Sequence, residues 1–175
     1  MNDSDVRIRP AVPSDAERLL ELKLVLDRET SFMMLEPGER TETAAEVAAH
    51  LAEVDGRGNS IVLVADDGTS LLGYVEADGG RFRRNRHSAQ VVIGVRQASS
   101  GRGIGQALLR ELSAWAERRG VHRLELTVMA HNARAVALYE AAGYELEGTR
   151  SHSLVVDGRY VDELALAKLH DAAVV

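Results

Sequence analysis

Ser100-Gly101-Arg102-Gly103-Ile104-Gly105 is the stretch on which the reading of this sequence turns. It follows a run with strand character, about Ser88 to Val95. It opens the strongest helical pattern in the chain, in which Ile104, Leu108, Leu112 and Trp115 recur on one face. A strand–glycine loop–helix junction is an anion site. The first helical turn leaves N–H groups unpaired, and the helix dipole adds partial positive charge there. Glycines let the backbone approach a phosphate closely, and Arg102 adds a full charge. The plainer alternative is a tight structural turn. A dinucleotide fingerprint would need a further glycine where the chain has Gln106 and Leu108, and no Gly-Lys pair exists for a Walker loop. Glu125, 20 residues beyond Gly105, keeps a nicotinamide reading open.

Working outward, topology counts against that reading. Ile61–Ala65 and Leu71–Ala77 read as strands around an Asp67-Gly68 turn, and a basic loop from Arg81 to Arg86 leads to the third strand. Three strands joined by short turns imply an antiparallel meander rather than a βαβ unit. Before them come a short strand from Val6 and two helices. Ser14 with Glu17, and Thr43 with Glu46, have capping-box spacing. Leu19, Leu22 and Leu26 carry the first helix; Val47, Leu51 and Val54 carry the second. After the glycine-led helix come a strand from Leu124 to Val128, a helix from Asn132 to Ala142 stopped by Gly143, and two strands around Asp157-Gly158. The order is β-α-α-β-β-β-α-β-α-β-β, with no repeat or linker.

The 175 residues make one ordinary domain, and 45% hydrophobic with 27% charged residues is a globular composition. There is no cysteine, which excludes disulfides, thiolate metal sites and a Cys nucleophile. The six histidines lack metal-ligand spacing, so no metal is expected. A net charge of −6 argues against a nucleic-acid partner. No apolar run approaches the ~18–20 residues that span a bilayer, and Met1–Asp5 is polar. The expectation is a cytoplasmic protein with no membrane partner.

Val95, five intervening residues and Gly101-Arg102-Gly103-Ile104-Gly105-Gln106-Ala107-Leu108-Leu109 resemble motif A of the GCN5-related N-acetyltransferases (GNAT), which cradles the pyrophosphate of acetyl-CoA. Asn132-Ala133-Arg134-Ala135-Val136-Ala137-Leu138-Tyr139-Glu140-Ala141-Ala142-Gly143-Tyr144 is similar to that superfamily's motif B. The likeness covers residues 6–169 as a single domain. It implies an α/β fold with a mixed, mostly antiparallel sheet, splayed central strands and about four flanking helices. One position departs from the pattern: Ser100 stands where the family has Gln or Arg.

The resemblance implies acetyl transfer from acetyl-CoA, as co-substrate, to a primary amine of a small molecule or peptide by direct attack. A non-catalytic acyl-CoA sensor on the same fold is the alternative. Ile93 and Val95 are the candidates for polarising the thioester carbonyl through a backbone N–H, and Gly94 would leave room for the pantetheine arm. Gly101 to Gln106, with Asn132, would hold the cofactor. Tyr139 occupies the family's general-acid position; the plainer reading is a core aromatic. Glu125 and Glu163 are the chosen candidates for the base, ahead of Asp162, His87 and His152. The acceptor site is expected between the first two helices and the last hairpin, from Phe32, Met33, Glu36 and Tyr160. The family's habit also implies a homodimer. The Arg81–Arg86 run reads as a solvated hairpin tip.

Overall fold

In a computed structural model, residues 6–171 are described; the polar Met1–Asp5 stretch lies outside them. The chain forms one seven-stranded sheet in the order β1-β2-β3-β4-β5-β7-β6. The strands are β1 (Arg7–Pro10), β2 (Ile61–Asp66), β3 (Leu71–Gly79), β4 (Ser88–Val95), β5 (Arg123–Met129), β6 (Glu145–Val156) and β7 (Arg159–Leu169). Among the described residues, only β4 and β5 pair in parallel. Helices α1 (Ala16–Glu29) and α2 (Ala44–Gly56) cover one face, and α3 (Ile104–Arg119) with α4 (Ala133–Ala141) the other.

Burial explains why β2 reads as an unbroken apolar run. Val62 and Val64 pack under α1 and α2 among Leu19, Leu22, Leu26, Val47 and Leu51. Leu63 and Ala65 point the other way, into the core beneath Leu108, Leu112 and Trp115 of α3. A strand covered on both faces shows no polar alternation. The helix that the glycine loop opens buries its expected stripe, Leu108 and Leu112 completely. It stops at Gly120 in the left-handed region, with Arg118 and Arg119 in the last turn.

One of the two expected capping boxes forms. Thr43 Oγ1 accepts the Glu46 N–H at 3.2 Å while Glu46 Oε2 takes the Thr43 N–H at 2.8 Å. The Ser14–Glu17 box does not form. A 3-10 turn at Pro13–Asp15 precedes α1, and Asp15, buried, accepts the Val12 N–H at 2.9 Å. Arg9 grips that carboxylate with two bonds of 2.6 and 2.7 Å and reaches Asp66 on β2 as well. A long-range ion-pair network therefore sets the start of α1, in place of a local cap.

No helix among the described residues is long and apolar enough to cross a membrane. Arg81 to Arg86 form an exposed hairpin tip, as expected.

Candidate active site

The site is a gap in the sheet. β4 pairs with β5 only from Ser88 to Gln90, opposite Arg123 to Glu125, whereas its pairing with β3 continues to Val95. Strand alternation fixes what the opened edge presents. Arg96 N–H reaches Leu72 O and Ser88 O accepts from Gly80, so the even positions of β4 point at β3. His87 O accepts from Arg123, so the odd positions point at β5. Beyond Gln90, the N–H and C=O groups of Ile93 and Val95 therefore face the gap. This is the edge an extended ligand arm would pair with. The cavity there is about 920 Å³ and continues from Phe32 and Met33 past β4 to the glycine loop.

At the loop, Gly101 and Gly103 have φ of +83° and +75°, a region where a side chain is strained. Gly103 is the residue before α3, so the free N–H groups of the first turn, at Ile104, Gly105 and Gln106, open toward the same groove. Ser100 lines the groove too, its own N–H spent on Gln97 O at 3.1 Å. Arg102 is exposed beside it. Glu29, the last residue of α1, ties this region to that helix: its Oε2 accepts the Gln97 N–H at 2.9 Å and its Oε1 lies 3.4 Å from Arg96. Across the groove, Asn132 caps α4 by accepting the Ala135 N–H at 3.2 Å and also lines the cavity. Backbone donors at a helix start and an open strand edge together fit a ligand with phosphates at one end and an extended arm at the other.

Gly94 needs a different explanation from the one expected. An added Cβ would lie 2.6 Å from Leu26 Cδ1 and 3.2 Å from Tyr74 Cε1. The missing side chain lets α1 pack closely on β4. It does not make free room for a ligand arm.

Tyr139 of α4 lines the groove, is only 7% exposed, and packs its ring 5.9 Å from that of Tyr144. Burial pushes its phenol up to about 12. It is therefore a neutral hydrogen-bond donor across the physiological range. Glu163 of β7 lines the same cavity while only 5% exposed, beside Met129 on the neighbouring strand. Its carboxylate lies 3.3 Å from Arg150 of β6. The carboxylate therefore sits where an amine in the cavity can reach it, which is the geometry a general base needs.

The structure does not bring Glu125 to the groove. It faces Arg123, at 2.5 Å, in a group completed by Glu147. The reason is the register: Glu125 sits where β4 and β5 are still paired, before they part. His87 lies at that same closed end, its ring 6.3 Å from that of His122. Asp162 accepts the His152 N–H at 2.7 Å. Of the residues expected at the acceptor end, Phe32 and Met33 line the cavity, and Phe32 contacts the His131 ring at 5.2 Å. Glu36 and Tyr160 do not line it. Glu36 is exposed on the loop after α1, its N–H bound to Glu39. Tyr160 is 70% exposed and stacked on His152 at 5.0 Å. The loop itself is pinned by Arg40, which clamps the buried Asp27 of α1 with bonds of 2.6 and 2.9 Å. No group of three or more His, Asp or Glu side chains among the described residues could hold a metal ion.

Residues 25–144 match the model of the acetyltransferase (GNAT) family. An L-amino acid N-acetyltransferase of Escherichia coli is 33% identical over 108 residues, 61% of this chain and 67% of that protein. An N-alpha-acetyltransferase of Mycobacterium tuberculosis is 34% identical over 153 residues, 87% of either chain. A crystal structure of a GNAT-family acetyltransferase from Streptococcus pneumoniae superposes with a TM-score of 0.92 at 29% identity, covering 95% of this chain and 100% of that one.

Proposed function

The chain belongs to the acetyltransferase (GNAT) family, and from that premise we propose that it moves the acetyl group of acetyl-CoA to a primary amine of a small molecule or peptide. It is an N-acetyltransferase, and acetyl-CoA is its co-substrate. The catalytic unit is a single domain, residues 6–169. The observation that carries this reading is the opened edge of β4, whose Ile93 and Val95 backbone groups run on into the N–H cradle of Gly101–Gln106.

Acetyl-CoA supplies an acetyl group activated as a thioester. The chain's own groups then have separate tasks. The N–H of Ile93 or Val95 donates to the carbonyl oxygen as it gains charge. Gly101 to Gln106 and Asn132 bind the phosphate end. Tyr139 donates a hydrogen bond to the departing sulfur. It does not hand over its proton in full, because a phenol at about 12 is a much weaker acid than a thiol at about 8.5. Glu163 takes the proton from the acceptor amine. Attack is read as direct, the chain having neither a cysteine nor a nucleophile motif to carry an acyl group. Phe32 and Met33 shape the acceptor end.

A cytoplasmic location and a homodimer belong to the same reading. In support of the dimer, β6 is an open edge strand that carries Leu146 and Val155 exposed.

The test of the proton path is Glu163→Gln in an acetyl-transfer assay. Loss of about 100-fold or more in kcat with acetyl-CoA binding retained supports Glu163 as the base. Unchanged kcat removes it from that role.

A further inference from the structure

Resting on that enzyme reading, we infer that the acceptor is a free α-amino acid with an uncharged side chain, its carboxylate received by Arg150 while its amine meets Glu163.

Three observations lead there. First, Met129, Glu163 and Arg150 stand opposite one another across β5, β7 and β6. Residues in register share one face of a sheet, so the three form a single row: Met129 and Glu163 line the cavity, and Arg150, 3.3 Å from Glu163, lies just beyond that lining. Neighbouring strands lie ~4.8 Å apart, a spacing that a zwitterion with both charges on one carbon can bridge.

Second, the Arg150–Glu163 pair is unlike the structural ion pairs of this protein. Arg9 holds Asp15 at 2.6 and 2.7 Å, and Arg40 holds Asp27 at 2.6 and 2.9 Å, each through two nitrogens. Arg150 meets Glu163 through one nitrogen at 3.3 Å, with its side chain 60% exposed. Among the described residues it has no other partner. A planar guanidinium so placed keeps most of its donors for a second carboxylate. An amino acid bound there would exchange one loose ion pair for two charge-assisted contacts.

Third, β6 is distorted beside this row. After Arg150 the pairing resumes only at Leu154, opposite Val161, so Ser151, His152 and Ser153 face Asp162 alone. His152 takes a φ of +52°, with its N–H on Asp162 and its ring on Tyr160. Bulges re-aim the side chains that follow them, and here Leu154 lines the cavity. With Phe32, Met33 and Met34 it makes an apolar wall for the acceptor's side chain. A peptide N-terminus or a simple alkylamine offers Arg150 no α-carboxylate.

The test compares L-methionine, L-methioninamide and 3-(methylthio)propylamine as acceptors, with the full chain and the Arg150→Gln and Arg150→Lys variants. Arg150 is exposed, so folding of the variants is checked simply by thermal melts. The inference expects kcat/KM for methionine to exceed that for the amide by roughly 10–100-fold, the range of a hydrogen bond to a charged group. Arg150→Gln should raise the methionine KM by that factor, leave the amide KM within about 3-fold, and be partly rescued by lysine. An amide that works as well as the acid overturns it. So does an equal loss on all three acceptors, which would make Arg150 a partner of Glu163 only. Absence of transfer to any of them, together with no binding of acetyl-CoA, overturns the enzyme reading as well.

Discussion

Replacing Tyr139 with phenylalanine removes one oxygen and leaves the ring in place against Tyr144, 5.9 Å away. The magnitude follows from the site. Burial pushes the phenol up to about 12. A thiol leaves with a pKa of ~8.5, so complete proton transfer from Tyr139 would be uphill by about 3.5 units, or ~5 kcal/mol at 1.36 kcal/mol per unit. What remains is a hydrogen bond that strengthens as charge grows on sulfur. A single donor aimed at a forming oxyanion is worth roughly 10²–10³ in kcat. A thiolate accepts more weakly, so the expectation is a drop of about 30–100-fold. The KM for acetyl-CoA should stay within about 3-fold, since the bond forms fully only in the transition state. The assay is steady-state thiol release for both proteins from pH 6 to 10. Because the neutral phenol persists to about 12, Tyr139 should add no alkaline loss of rate in that window. Unchanged kcat would reduce Tyr139 to a core aromatic. An alkaline limb near pH 9 that vanishes in the phenylalanine variant would refute the argument from burial.

Three further outcomes follow from the packing. Asp27→Ala leaves Arg40, which is 9% exposed, without its buried partner; urea unfolding should show a loss of about 3–5 kcal/mol, and the acceptor KM should rise as the loop after α1 loosens. The hydrogen bonds of Arg9 hold the Asp15 carboxyl below its ordinary value. That contribution is therefore complete above ~pH 4 and is lost as pH falls further; melting temperatures from pH 6 to 2 should fall less steeply in Asp15→Asn, which starts lower. Gly94→Ala sets a methyl 2.6 Å from Leu26 Cδ1. It should cost about 1–3 kcal/mol, and adding Leu26→Ala should cost less in that background than in the wild type, a coupling that a double-mutant cycle reads.

The backbone geometry of the proposed donor half was legible because its constraints are local. Gly101 and Gly103 are required by backbone angles, and a loop that starts a helix creates anion-binding N–H groups wherever the chain goes. Asn132 and Tyr139 were readable for a similar reason, since one helix carries both spacing and cap. The acceptor half depends on partners far apart in sequence. Glu125 and Glu163 are the same residue type on strands of similar character. Only the sheet order β5-β7-β6, and the residue at which β4 and β5 part, put Glu163 in the groove and leave Glu125 with Arg123. Arg150 meets Glu163 through a register that the bulge at Ser151–Ser153 interrupts, and no periodicity announces it. The start of α1 escaped for the same reason. Ser14 and Glu17 had the spacing of a cap, but Arg9 and Asp66, 57 residues apart, recruited Asp15 instead.

The central claim, transfer of an acetyl group from acetyl-CoA to an amine in this groove, is tested most directly by the release of free thiol. The chain contributes no thiol of its own. Acetyl-CoA is supplied alone and then with amino acids, their amides, peptides and alkylamines. The account predicts little release without an acceptor, and rapid release that requires a primary amine. Saturable binding of acetyl-CoA with no amine-dependent thiol from any acceptor would contradict it and make the groove a sensor of acyl-CoA.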